Sequence, residues 1–377
     1  MCIHESTTFL GFIYHVDQSA YVTTKFIVSC GNADDDYITE SKVVRLGTAG
    51  NIKFETPLKA GTFGMTSGCG IYEVYRYLKP ETIRKCLDSQ PYLSKYQKTT
   101  KSMRSDSALN LIALAYMNKD VVPDEDSIRI LADMQYACSD VVQTPSWFGL
   151  VKSDGSTDVD LYIELSERYI EYAQFRNHKP VIGTIPVCVP YNRISEVVGM
   201  YMDNDVTSFI VDFNTRSYDM TWVREFLRTV SDYRVEKESI LGCVNSFPGS
   251  LKKSGEPTSA LDFLGFAAGF DVIEDKHVPK PSNDNYPERN ETRMFDEATF
   301  TYSKIKYSDK DEKEALMAES IHRQVDGMAE VRRTLAESNS IDTLLAEKKV
   351  EHDVMAPFRH LKSDIGTHHS TLDEFFI

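Results

Sequence analysis

The sequence predicts an α/β fold: a TIM (β/α)8-type barrel followed by a C-terminal helical extension and a flexible tail. Three observations predict it. From Val121 onward, short and nearly continuous apolar β runs alternate with amphipathic helices, the pattern of strands covered on both faces. The units recur at roughly 25 to 40 residues, as βα repeats do. No glycine-rich phosphate fingerprint follows any run, and polar residues collect at the run ends: Gln143 and Thr144, Asp212 and Asn214, Asn245, then Asp271, Glu274, Asp275 and His277. In a barrel those ends share one mouth.

Residues 1 to about 60 mix short β-like runs, YVTTKFIVSC and NIKFETPL, with polar turns. The helix PDEDSIRILADMQYA then opens with acids, which the positive end of a helix favours, and leads into DVVQTP. Four more helix and strand units follow: DVDLYIELSERYIEYAQFR with PVIGTIPVCV, NRISEVVGMYMDN with SFIVDFN, DMTWVREFLRTVSDY with SILGCVNSF, and SALDFLGFAAG with FDVIEDKH. VPKPSNDNYPERNETR reads as a loop. These units place a barrel domain at 1–307, a charged helical extension at 308–361 and a tether at 362–377.

At 377 residues, with 26% charged and 11% aromatic side chains, the chain is long and apolar enough for a large core. No apolar run approaches the roughly eighteen residues of a membrane span. The N-terminus has neither a basic start nor a small-residue cleavage site, so a cytoplasmic protein is expected. The seven cysteines are scattered, without CxxC pairs or histidines at ligand spacing, so no disulfide framework, metal or cofactor is expected. A formal charge of −15 opposes broad adhesion to nucleic acid. The basic run KYQKTTKSMR still offers Lys98, Lys101 and Arg104 as backbone contacts.

Chemistry concentrates in FDVIEDKH, where Asp271, Glu274, Asp275 and His277 fall within seven residues. A carboxylate there can serve as nucleophile or general base beside a neighbour of different pKa. A solvated strand end is the alternative. Asp212, inside the apolar SFIVDFN, must be paired or functional because an isolated buried acid is costly. Trp147 and Phe148 stand where rings stack on a flat substrate, with packing at the mouth as the alternative.

The stretch SDSALNLIALAYMNKDVVPDEDSIRILADMQYACSDVV resembles a segment of the tRNA-guanine transglycosylase superfamily. Asp106 and Ser107 fall in the place of that family's base-recognising aspartate and its serine, and Pro123, Asp124, Ser127, Ile128, Gln135, Ser139 and Asp140 follow at matching spacing. SALDFLGFAAGFDVIED resembles the helix and strand that deliver its catalytic aspartate, and NIKFETPLKAGTFG its opening motif. The similarity covers roughly residues 45 to 280. Ala108, Leu109 and Leu111 replace the family's glycines and glutamine, Ser146 stands near its second aspartate, and its zinc cysteines are absent. An ungapped match puts Glu274 at the nucleophile, with Asp271 and Asp275 as alternatives.

The chain ends HSTLDEFFI, which resembles the sliding-clamp interaction motif of replication and repair proteins, in the plain form typical of archaeal clamp clients. His369 stands where glutamine is usual, Leu372 is the aliphatic residue, and Phe375 and Phe376 are the aromatic pair. A short turn places those three apolar side chains on one side as a plug for an apolar groove.

Together the resemblances imply a guanine transglycosylase-like enzyme, without cofactor, that exchanges guanine for a deazaguanine in nucleic acid, DNA in preference to tRNA. The substrate base is extruded into a pocket. One of Asp271, Glu274 and Asp275 attacks, while Asp106, Ser107, Gln143, Trp147, Phe148 and Asp212 surround the base. The rivals are a clamp-tethered repair nuclease or glycosylase, with a divalent metal at Asp212, Asp271 and Glu274, a transglycosylase acting on tRNA, and a catalytically inactive interaction module.

Overall fold

The computed structural model describes residues 27–30, 44–47, 53–62, 69–116, 118, 120–147, 150, 158–176, 179–218, 220–233, 239–252, 255–277, 290–338, 341–348, 350 and 354. Phe148 and the whole segment 362–377, with His369, Leu372, Phe375 and Phe376, lie outside them. Strands β1 (Ile27–Cys30), β2 (Val44–Gly47) and β3 (Lys53–Thr56) form a small antiparallel sheet at the start.

Six short strands make the main sheet, all parallel, in the order β4 (Leu58–Lys59), β12 (Val272–Ile273), β10 (Leu241–Val244), β9 (Phe209–Asp212), β8 (Val181–Pro186) and β7 (Val142–Gln143). Two longer strands, β5 (Ile71–Leu78) and β6 (Leu109–Tyr116), pair parallel over eight residues. That pair is bonded to both edges of the six. On one side Gly61, just past β4, donates to Ile71 O (2.9 Å) and accepts from Glu73 N (2.8 Å). On the other, Leu111 bridges Val141 and Ala115 bridges Ser146, with Ser146 N donating to Leu114 O (2.9 Å).

Helices cover the strands in the alternation that the sequence predicts. After β5 come α1 (Pro80–Asp88) and α2 (Gln90–Lys101), each with proline in its first turn, where the ring costs no hydrogen bond. Asp124 caps α3 (Glu125–Cys138) by accepting from Ser127 N at 2.9 Å, and Asp158 caps α4 (Val159–Gln174) through Leu161 N. α5 (Ile194–Asp203) and α6 (Met220–Asp232) complete the series. SALDFLGFAAG is a 3-10 helix over Phe263–Ala268, ended by Gly269 at a left-handed φ of 93°.

The expected loop ends earlier than the sequence suggests, because β13 (Glu291–Asp296) and β14 (Thr301–Lys306) form an antiparallel hairpin joined by β11 (Thr258–Ser259). Phe295 and Phe300 of this hairpin pack on Phe263 with ring centroids 4.6 and 4.9 Å away. The long α7 (Lys310–Ser338) docks on the same hairpin. Ser320 Oγ accepts from Phe295 N (3.0 Å), and Arg332 donates to Pro57 O (2.8 Å), tying the extension to the start of β4. α8 (Ile341–Glu347) buries Leu344 and Leu345. No described helix is long and apolar enough to cross a membrane.

Close packing between strand and helix layers leaves no room for a side chain at Gly183. A Cβ there would sit 2.8 to 2.9 Å from three ring atoms of Tyr201. That ring cannot swing away freely, because its hydroxyl is bonded to Thr144 (2.9 Å) and Tyr162 (2.8 Å) in the buried layer. Gly183→Ala is expected to cost about 1–3 kcal/mol of stability, the range for overpacking a tight core, measured by urea unfolding. An unchanged midpoint would show that Tyr201 is not held.

Candidate active site at the carboxyl ends of the strands

Side chains alternate along an extended strand, so residues two apart share a face. Five strands use this rule in the same way. Ile71, Val141, Ile182, Ile210 and Val272 line one small apolar void. Two positions on, toward the carboxyl edge, stand Glu73, Gln143, Thr184, Asp212 and Glu274, all buried. The interior therefore has an apolar floor and, directly above it, a polar layer. In parallel α/β sheets ligand chemistry belongs at that edge.

Two glutamates dominate the layer. Glu73 Oε1 accepts from Asp275 N (2.7 Å) and lies 3.1 Å from His277 Nε2. Burial pushes Glu73 up, yet the charge of His277 at 3.1 Å, the charge of Lys59 and the neighbouring Glu274 outweigh it and hold its carboxyl below the usual range. Glu274 goes the other way: burial, then the charge of Glu73 and the proton shared with it, raise it well above the usual range despite Lys59. Written as carboxylates, Glu73 Oε2 and both Glu274 oxygens lack a donor among the described residues. A proton on Glu274 supplies one, so the pair is best written as one carboxylic acid and one carboxylate.

Surrounding groups fix this pair. Burial lowers His277, but the charges of Glu73 and Asp275 prevail and raise it. Its ring stacks on Tyr75 at 4.8 Å and 11°, and its backbone carbonyl accepts from the Tyr77 hydroxyl. Asn245, held at a left-handed φ of 56° that asparagine tolerates, accepts from His277 N (2.7 Å) and donates to Asp212 Oδ1 (3.1 Å) and the Tyr75 hydroxyl (3.3 Å). Asp212 also accepts from Ser146 Oγ (2.8 Å) and Asn214 N (2.9 Å). Its burial raises it, opposed by those hydrogen bonds. Lys59 is buried, and its ammonium finds no hydrogen-bond partner among the described residues.

Of the residues singled out in the sequence, Glu274, Asp212 and Gln143 meet in this layer, and Asp275 joins it through its backbone. Asp271 sits at the amino end of β12 instead, where its Oδ2 accepts from Leu241 N at 2.9 Å. Asp212, Asp271 and Glu274 are thus not brought together, and among the described residues no three His, Cys, Asp or Glu side chains could hold a metal ion. Asp106 and Ser107 lie in an exposed turn before β6, below the floor to which Leu109 contributes, and the structure does not bring them to the glutamates. Lys98, Lys101 and Arg104 share that side, with Arg104 paired to Asp140 at 2.7 Å. Trp147 is buried between strands and helices, its indole donating to Ser166 Oγ (3.1 Å), and does not face the polar layer.

Sequence reasoning missed Glu73, Tyr75, Tyr77 and Lys59. The signal was present: in IYEVYRYL a lone acid occupies an apolar alternation, the same sign that marks Asp212 in SFIVDFN. Compared with known proteins, the chain matches no family model and no curated sequence.

The raised Glu274 makes stability depend on pH in a definite direction. An acid whose folded pKa exceeds its unfolded value keeps its proton when folded and loses it when unfolded, so stability falls as pH rises between the two values. Above the ordinary carboxylate range, the wild type is expected to lose up to about 1.4 kcal/mol per pH unit from this group. Glu274→Gln removes the slope, so its melting temperature should exceed that of the wild type at pH 7 and converge with it near pH 4. Parallel melting curves at all pH values would contradict the assignment.

Proposed function

We propose that β4 to β10 and β12 close as one TIM-type barrel and that the protein is a guanine transglycosylase-like enzyme acting on nucleic acid, DNA in preference to tRNA. The observation that carries the reading is the buried glutamate pair at the carboxyl edge, one member driven toward the acid and the other toward the carboxylate. Hydrogen bonds on both sides of β5 and β6 support closure. Glu274 occupies the position of the nucleophile in the resemblance and projects into the polar layer.

The chemistry balances on this pair. Glu274 passes its proton to Glu73 and attacks the sugar C1′, forming an ester bond as the C1′–N9 bond of guanosine breaks. Glu73 returns the proton to the departing guanine. An incoming deazaguanine then gives its N9 proton to Glu73 and displaces Glu274 with retention of configuration. His277 and Asp275 N keep Glu73 oriented throughout. Asp106 and Ser107 have no part in this version, because they lie below the apolar floor. The C-terminal HSTLDEFFI brings the enzyme to a sliding clamp on DNA through Leu372, Phe375 and Phe376.

Incubating the protein with duplex DNA or tRNA and labelled guanine or deazaguanine tests the reading. Label is expected to enter DNA, Glu73→Gln should lower the rate by about 10²–10⁴-fold, the range for removing a catalytic proton carrier, and Glu274→Gln by about 10⁶-fold, as loss of a covalent nucleophile does. Incorporation that survives both substitutions, or none with any acceptor, would overturn it. Separately, Phe375→Ala with Phe376→Ala should weaken clamp binding at least tenfold in a titration and leave single-turnover exchange on short DNA unchanged. Equal clamp affinity would remove the partner.

A further inference from the structure

Gln143 ends β7 with its side chain in the polar layer, and the hydrogen bonds around it fix which way its amide points. Nε2 donates to Thr184 Oγ1 at 3.0 Å. Thr184 has a single hydroxyl proton, and it goes to the Thr144 carbonyl at 2.6 Å, an acceptor only. Thr184 Oγ1 is therefore left as an acceptor toward Gln143, and a flipped amide would set oxygen against oxygen. Thr144 is itself held, its hydroxyl oxygen accepting from Thr184 N (2.7 Å) and bonded to Tyr201 (2.9 Å). The Gln143 carbonyl oxygen consequently faces away from Thr184, and it is buried without a donor among the described residues.

A buried amide oxygen without a donor is costly and rare in a folded protein, and a bound donor relieves it. A buried amide oxygen held as an acceptor matches a molecule that presents an N–H group to it, not a phosphate or carboxylate oxygen. We infer that Gln143 is the specificity-determining residue for the base, accepting from the N1–H and 2-amino edge of guanine or a guanine-like deazapurine. This rests on the reading of the glutamate pair as a base-exchange centre and assigns the edge-reading role, which the exposed Asp106 cannot fill, to β7.

Equilibrium dialysis of the full chain against radiolabelled guanine, with hypoxanthine and adenine as competitors, tests it. Hypoxanthine keeps N1–H and lacks the amine; adenine lacks N1–H. The wild type is expected to bind guanine at least tenfold more tightly than either, a comparison that needs no variant. Gln143→Leu, verified by its melting curve, should lose at least tenfold in guanine affinity and bring guanine and hypoxanthine to near equality. A wild type that binds no purine or does not prefer guanine, or a folded Gln143→Leu protein with unaltered preference, overturns the inference. The two proposals fail separately. Exchange that needs Glu274 while guanine affinity ignores Gln143 sinks the role of Gln143 alone. Guanine binding that needs Gln143 in a protein that never releases a base sinks base exchange alone.

Discussion

Two carboxyl groups withdrawn from water into one polar layer cannot both ionise, and the interior of this protein is organised around that constraint. Glu73 is given partners that favour its charge: the imidazole of His277, the backbone N–H of Asp275 and the ammonium of Lys59 nearby. Glu274 is given none that match them, and keeps the proton. The asymmetry follows from which strand carries each residue. Glu73 looks toward the chain that follows β12, where Asp275 and His277 stand, while Glu274 belongs to that chain and cannot draw on its neighbours in the same way. A pair poised like this costs stability that a neutral core would not, and such costs concentrate where chemistry is done.

The rest of the interior keeps the pair dry and in place. Below it lies the apolar floor of Ile71, Val141, Ile182, Ile210 and Val272, and above it the stacked rings of Tyr75 and His277 with Asn245 between them and Asp212. Ser146, Asn214 and Asn245 tie Asp212 from three directions, so the layer is braced across β7, β9 and β10 by hydrogen bonds rather than by apolar packing. The outer layer is of the ordinary kind. Phe209, Phe226 and Tyr201 meet edge to face between strands and helices, and Trp147 is absorbed into the same packing.

Much of the scaffold was legible in the sequence because burial on both faces writes continuous apolar runs. SFIVDFN, SILGCVNSF and PVIGTIPVCV became β9, β10 and β8, and the capped helix at Asp124 begins as its acids indicate. β5 was not legible. In IYEVYRYL the inner face carries Glu73, Tyr75 and Tyr77 because it lines the polar layer, while Arg76 on the other face packs on Tyr96 of α2, so polar residues on both faces break the apolar run. The place of Asp106 is legible in the sequence by a different rule. It precedes the run LNLIALAY, and in a parallel sheet a residue before a strand lies at the edge opposite one after it. The same rule separates Asp271 from Glu274, three positions apart across a two-residue strand. Glu73 and Glu274 are 201 positions apart, and no local pattern announces that two acids so distant share a proton.

The state of that proton is the most direct point of test. Isotope-edited infrared spectroscopy of the protein labelled at glutamate carboxyl carbons, recorded from pH 5 to pH 8, reports each carboxylic acid as a C=O band distinct from the carboxylate bands. One such band is expected to persist through neutral pH, to vanish in Glu274→Gln and to survive in Glu73→Gln. Absence of any carboxylic acid band at pH 7, or a band that Glu274→Gln leaves in place, would contradict the proton-sharing pair on which the site depends.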